Sequence, residues 1–185
     1  MEKNPKIPKT GKIGSLAKNI EKATNRDIVQ VIMLDVAQFK LASRRAEKAE
    51  WIKEAIERLA RQVGEEKSVI IMENCGRDCC GSKHSEHAKQ LMNESKSVEE
   101  FASKLSRGGV KFKLKDENTV VGDYSKCYCS LVNQTPKPFS SKIYCQCGVG
   151  YIKQQFESAF GKTVDVELVQ SVISGAESCK FLIRF

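Results

Sequence analysis

No apolar run in this 185-residue chain approaches the roughly 20 residues needed to span a bilayer, so a helical membrane protein is not expected. There is also no Walker loop, no dinucleotide-binding glycine fingerprint and no His-Glu-x-x-His zinc motif, which sets aside the reaction classes those motifs serve. Histidine is scarce: His84 and His87 are the two in the chain, and neither sits in a recognised catalytic motif. Both read more simply as polar helix surface. Residues 1 to 22 lack the apolar stretch of a signal peptide, being broken by Pro5, Lys6, Pro8, Lys9, Lys12 and Lys18, so a cytoplasmic location is expected.

Acidic residues are outnumbered, giving a formal charge of +8. Much of that excess lies in residues 1 to 26, where seven basic residues face Glu2 and Glu21. A charge confined to one end reads as a solvated extension, so nucleic acid is an unlikely partner. Residues 1 to 24 accordingly read as a basic, loosely ordered arm, although Ile13, Leu16 and Ile20 form a short stripe that could dock on the body. Residues 25 to 185 read as a single domain, with a helical part over 25–109 and a cysteine-rich sheet and helix part over 110–185.

Ile28, Val31, Ile32, Val36 and Phe39 recur at helical intervals. Ala49, Ile52, Ile56, Leu59 and Val63 form a second stripe that Gly64 stops. Helix is expected over 66–79, although Ser68 to Met72 taken alone would equally suit a buried strand; Gly81 breaks it, with a polar helix carrying both histidines beyond. Ser97 and Glu100 form a capping box for a short helix closed by Gly108 and Gly109. After that the period changes to two. Val110, Phe112 and Leu114 alternate with lysines, and Asp116-Glu117-Asn118 turns the chain into a hairpin. A helix from Gly148 to Phe160 and two alternating strands, around Val164 to Leu168 and Cys179 to Phe185, complete the chain. The class is α+β: N-terminal helices packed on a twisted antiparallel sheet formed by the C-terminal half.

What the chain has in quantity is cysteine, eight residues, six of them in close pairs: Cys75 with Cys79, Cys127 with Cys129, and Cys145 with Cys147. On a helix the first pair would stack on one face, and each Cys-x-Cys pair would share a face if extended. These six are candidate metal ligands, for which thiolate chemistry favours zinc ahead of an iron–sulfur cluster. Alternatively Cys145 or Cys147 is a nucleophile, its thiolate and a substrate oxyanion stabilised by amides at the start of the helix near Gly148. Arg77 could favour a thiolate at Cys75 or Cys79 in the same way. Burial in the core is the simple account of Cys179, and a reasonable one for Cys80.

The run Tyr144-Cys145-Gln146-Cys147-Gly148-Val149-Gly150-Tyr151, followed by Phe156-Glu157, Gly161 to Glu167 and Gly175-Ala176-Glu177-Ser178-Cys179-Lys180-Phe181, carries a family likeness. It resembles 4-vinyl reductase-like small-molecule-binding domains and L-2-amino-thiazoline-4-carboxylic acid hydrolase-like proteins. Asn74-Cys75-Gly76-Arg77-Asp78-Cys79 further resembles a cysteine-rich prokaryotic group with the same tail. The resemblance implies an enclosed pocket for a small apolar or cyclic molecule, often in a homodimer, with Arg77, Tyr144, Tyr151 and Glu167 as candidate ligand contacts. Two functions follow as expectations. One is a small-molecule-binding protein with a cysteine-cluster zinc site. The other is a cysteine-dependent hydrolase acting on a C–N or C–S bond of a small cyclic substrate.

Overall fold

The computed structural model describes residues 7 to 185. Helices come first: α1 (Gly11–Ala23), α2 (Arg26–Ile32), α3 (Val36–Leu41), α4 (Arg45–Val63), α5 (Glu65–Asn93) and α6 (Val98–Leu105). The hairpin β1 (Val110–Asp116) and β2 (Thr119–Tyr124) follows, then an irregular stretch, α7 (Gln146–Phe160), β3 (Asp165–Gln170) and β4 (Cys179–Arg184). The four strands form one antiparallel sheet in the order β1-β2-β4-β3. The α+β class expected from the sequence is therefore the observed one. No helix among the described residues is long and apolar enough to cross a membrane.

Local rules account for most boundaries. The Asn25 side chain accepts from the amides of Asp27 and Ile28, satisfying two of the unpaired donors at the start of α2. The Ser97 hydroxyl accepts from the Glu100 amide at 3.2 Å, while the Glu100 carboxylate reaches the Lys96 amide, one residue before the position of a standard capping box. Gly64 at φ 81° separates α4 from α5. The periodicity through residues 28–39 suggests one helix, but Asp35 adopts φ 57° and divides it into α2 and α3. Gly81, at φ 58° and ψ −179°, kinks α5 without ending it.

The basic arm expected over residues 1–24 needs correction from Gly11 onward. Ile13, Leu16 and Ile20 are buried, so α1 belongs to the core, and the apolar stripe prevails over the surrounding charge. Ser15 and Asn19 tie α1 to α5 through the Asp78 carboxylate, at 2.8 and 2.9 Å. The preceding residues, 1 to 6, lie outside the described ones.

Two apolar clusters form the interior. One joins α1 through α4 and part of α5 to Val132, Phe139 and Ile143 of the irregular stretch. The other joins α6 and α7 to the inner face of the sheet, where Phe101, Phe112 and Phe156 meet. Helix α5 lies along α7 between them. Their backbones approach so closely that a Cβ on Gly76 would stand 2.0 Å from the Cys147 carbonyl oxygen, and one on Gly150 would stand 1.8 Å from that of Glu73. Neither position has room for a side chain, and both obstacles are backbone. Ion pairs flank the crossing: Lys153 with Glu73 at 2.8 Å, and Arg77 with Glu157 at 2.6 Å.

Replacing Gly76 or Gly150 by Ala should therefore force the two helices apart, with a loss of about 3 kcal/mol or more. Arg77→Ala, which removes a half-exposed ion pair, should cost no more than about 1 kcal/mol. Denaturant unfolding of the three variants checks this order.

Candidate functional site

A cavity of about 930 Å³ lies where the two apolar clusters meet. Its walls come from α1, α5, the end of α6, the sheet hairpin and the start of α7. Leu16, Ile52, Met72, Leu105, Val110 and Phe112 make them largely apolar. Polar groups converge on the walls from separate elements: Lys12, Ser15, Asp78, His84, His87, Lys104, Arg107, Gln155, and the tyrosines 124, 128, 144 and 151. Such a volume and such a wall match a site for a drug-sized organic molecule. The Gly81 kink turns the histidine-bearing half of α5 along this wall. His84 is half-buried with its ring 5.7 Å from that of Tyr151, whereas His87 is exposed.

The three cysteine pairs do not assemble a metal site. Among the described residues no group of three or more His, Cys, Asp or Glu side chains is placed to hold an ion. Secondary structure gives the reason. Cys145 and Cys147 are not on an extended strand but at the start of α7, where residues two apart point in different directions. Cys145 Sγ turns to the Ser171 hydroxyl at 2.9 Å. Cys75 is buried against Asn19, while Cys79, one turn on, is exposed. Cys129 meets the Tyr144 hydroxyl at 3.1 Å and the Lys12 ammonium at 3.4 Å. The expected zinc site, and the iron–sulfur alternative behind it, are both withdrawn on this geometry.

The nucleophile reading of Cys145 and Cys147 fails for a related reason. Burial pushes the Cys145 thiol up to about 12, with the Ser171 hydrogen bond acting against it. Burial also raises Cys147 well above the ordinary thiol range, with Cys129 and Cys145 adding to it. Cys147 is half-buried on the cavity wall, so what access it has is to that largely apolar space. The amides expected to hold an oxyanion are already used. Cys147 N–H donates to the Tyr144 carbonyl and Gly148 N–H to that of Cys145, because a tight turn leads into α7.

Of the four expected ligand contacts, Tyr144 and Tyr151 line the cavity. Arg77 and Glu167 do not. Arg77 grips Glu157 with both terminal nitrogens and reaches Gln154, so it joins α5 to α7. Glu167 pairs with Arg184 on the exposed side of β3 and β4. Cys179 and Cys80 are buried. Sequence reasoning missed Lys12, Arg107, Tyr124 and Tyr128, which lie on a helix, a turn and a hairpin end. No motif links them, and the fold alone brings them to one wall. Burial raises both Tyr151, to about 12, and Tyr124, while the Arg107 charge pulls each the other way.

A family model for a family of unknown function, DUF6144, matches residues 8–184. No curated protein matches the chain. Solved structures share the fold at low identity. One is an Fe(II) unliganded H-NOX protein mutant from K. algicida, 13% identical over 94% of each chain, with a TM-score of 0.50. Another is an Fe(II)-state H-NOX mutant from S. oneidensis, 12% identical over 94% of this chain and 93% of that one, with a TM-score of 0.51. A third, from work on heme distortion in the H-NOX family, is 15% identical over 94% and 93%, with a TM-score of 0.48. The resemblance of the C-terminal third to 4-vinyl reductase-like and thiazoline hydrolase-like proteins is overturned by the first two of these neighbours. Short cysteine and glycine runs suggested it, whereas the fold match spans nearly the whole chain.

Buried thiols link stability to pH. An unfolded cysteine ionises near 8.5, whereas folding holds Cys75 and Cys145 to about 12. Above pH 8.5 the unfolded chain therefore loses protons that the folded chain keeps, and stability falls as pH rises. Under reducing conditions the unfolding free energy should drop by about 1 kcal/mol per such thiol between pH 8 and 9.5. In Cys145→Ala the slope should be shallower. A slope unchanged by that substitution would contradict the assignment.

Proposed function

We propose, for a chain that belongs to the family of unknown function DUF6144, a binding role: the cavity holds a flat, largely apolar ring compound carrying an acidic group, haem foremost. The observation that carries this reading is the cavity itself. It offers about 930 Å³ of mostly apolar space with polar groups converging on it from several elements. The fold it shares with Fe(II) H-NOX proteins directs attention to a tetrapyrrole within that ligand class.

The residues present fit such a ring. His84 supplies a half-buried imidazole on the wall, the commonest protein ligand to haem iron. Arg107 makes no side-chain hydrogen bond or ion pair with another described residue and is placed to meet a carboxylate. Tyr151, its ring near His84, would bear on one edge of the bound ring. Haem bound there would supply an iron position able to take a small gas. The rest of the wall serves to exclude water and to orient the ring. No membrane partner is part of this reading.

Titration of the purified chain with hemin should give one equivalent bound with roughly micromolar affinity, about −8 kcal/mol, read from the Soret band. Metal-free protoporphyrin should also bind, since the ring and its acids are recognised apart from the iron. His84→Ala should alter the hemin spectrum and leave protoporphyrin binding intact. Leu105→Trp, which fills the cavity, should abolish both. Failure of hemin and protoporphyrin alike to bind stoichiometrically, or binding unaffected by Leu105→Trp, would refute the proposal.

A further inference from the structure

Of the thiols around the cavity, Cys129 has surroundings unlike the others. Cys75 is buried and Cys145 and Cys147 are half-buried, burial raises all three, and none of them has a cation among the described residues within hydrogen-bond distance. Cys129 lies in the irregular stretch after β2, half-exposed, on the cavity wall. Two side chains from distant parts of the chain address its sulfur. The Lys12 ammonium of α1 donates to Sγ at 3.4 Å, and the Tyr144 hydroxyl lies 3.1 Å away. Burial works against the Lys12 charge, yet its pKa stands above the ordinary value, with Cys129 the first of the thiols that hold it there. Tyr144 is raised well above the phenol range by burial first and Cys129 next, so it keeps its proton and can donate it in a hydrogen bond. A cation and a phenol donor converging on one sulfur are the partners a thiolate needs.

We propose that Cys129 is a covalent modification site for soft carbon electrophiles, such as apolar α,β-unsaturated carbonyl compounds, that enter the cavity. The Cys129 thiolate adds to the β-carbon, forming a C–S bond. The alkene π pair moves onto the α-carbon and carbonyl as an enolate. That enolate takes one proton, from the Lys12 ammonium or from water, and no group leaves. No oxidant or reductant is consumed. The apolar wall selects the body of the electrophile, Lys12 supplies the counter-charge, and Tyr144 fixes the sulfur. Lys12 lies at the exposed rim, so the sulfur is approached from solvent through the cavity mouth. Nothing in this chemistry requires the cavity to hold a ring cofactor.

The test uses the whole chain, reduced and with no ring compound added, treated at pH 7 with N-phenylmaleimide and followed by peptide mass spectrometry. N-acetylcysteine provides the reference rate. Cys129 should react about tenfold faster than the reference, ahead of the exposed Cys79 and the half-buried Cys145 and Cys147, with Cys75 protected until unfolding. Lys12→Met should bring Cys129 down to the reference rate. Tyr144→Phe, which keeps the ring packing, should slow it in the same sense. A wild-type Cys129 no faster than N-acetylcysteine, or an undiminished rate in Lys12→Met, overturns the proposal. Because the readout is thiol alkylation in protein without a ring ligand, its failure leaves the ring-binding reading standing, and the converse also holds.

Discussion

The glycine crossing of α5 and α7 is the constraint on which the rest of the molecule depends. Gly76 and Gly150 each meet a carbonyl of the opposite helix at a distance that no side chain permits, so the two backbones run in direct contact. That approach sets the position of α7 beneath the sheet, and with it the position of Cys147, Gly148 and Tyr151 on the cavity wall. The flanking pairs Glu73–Lys153 and Arg77–Glu157 fix the register along the crossing. Partly exposed pairs contribute little stability on their own, and their value here is directional.

The cavity follows from this arrangement. The N-terminal helices cannot fill the space between themselves and the sheet, because α5 and α7 stand between the two apolar clusters. What remains open is lined by residues from both. Burial of polar groups without partners is costly, and several of those on its walls have an identifiable neighbour. Tyr144 meets Cys129, Tyr151 meets the His84 ring, and the Arg107 charge bears on two phenols.

The cysteines illustrate how spacing can mislead. Three close pairs suggested one shared ligand, and the inference depended on the backbone conformation assumed for each pair. Cys145 and Cys147 share a face only if extended, and the turn into α7 denies that. Cys75 and Cys79 do lie on one helix, but one is buried and the other exposed. The amides at the start of α7 looked available because a helix N-terminus usually leaves donors free, and here a preceding turn uses them. The thiol with the most distinctive surroundings, Cys129, owes them to Lys12, which the sequence suggested only as part of a solvated basic arm.

Local patterns in the sequence determined the α+β class, most helix and strand boundaries, the position of the kink at Gly81 and the capping at Ser97, because each depends on periodicity or on neighbours within a few residues. The burial of Cys179 on an alternating strand face was legible for the same reason. Tertiary structure alone decided that α1 docks, that Arg77 clamps α7, that the cysteine pairs diverge, and that Lys12, His84, Arg107 and four tyrosines share one cavity. Those outcomes turn on the distance between segments far apart in the chain, as Lys12 and Cys129 are at 117 residues. Residue spacing along a chain carries no measure of such distances until the glycine contact between two helices sets them.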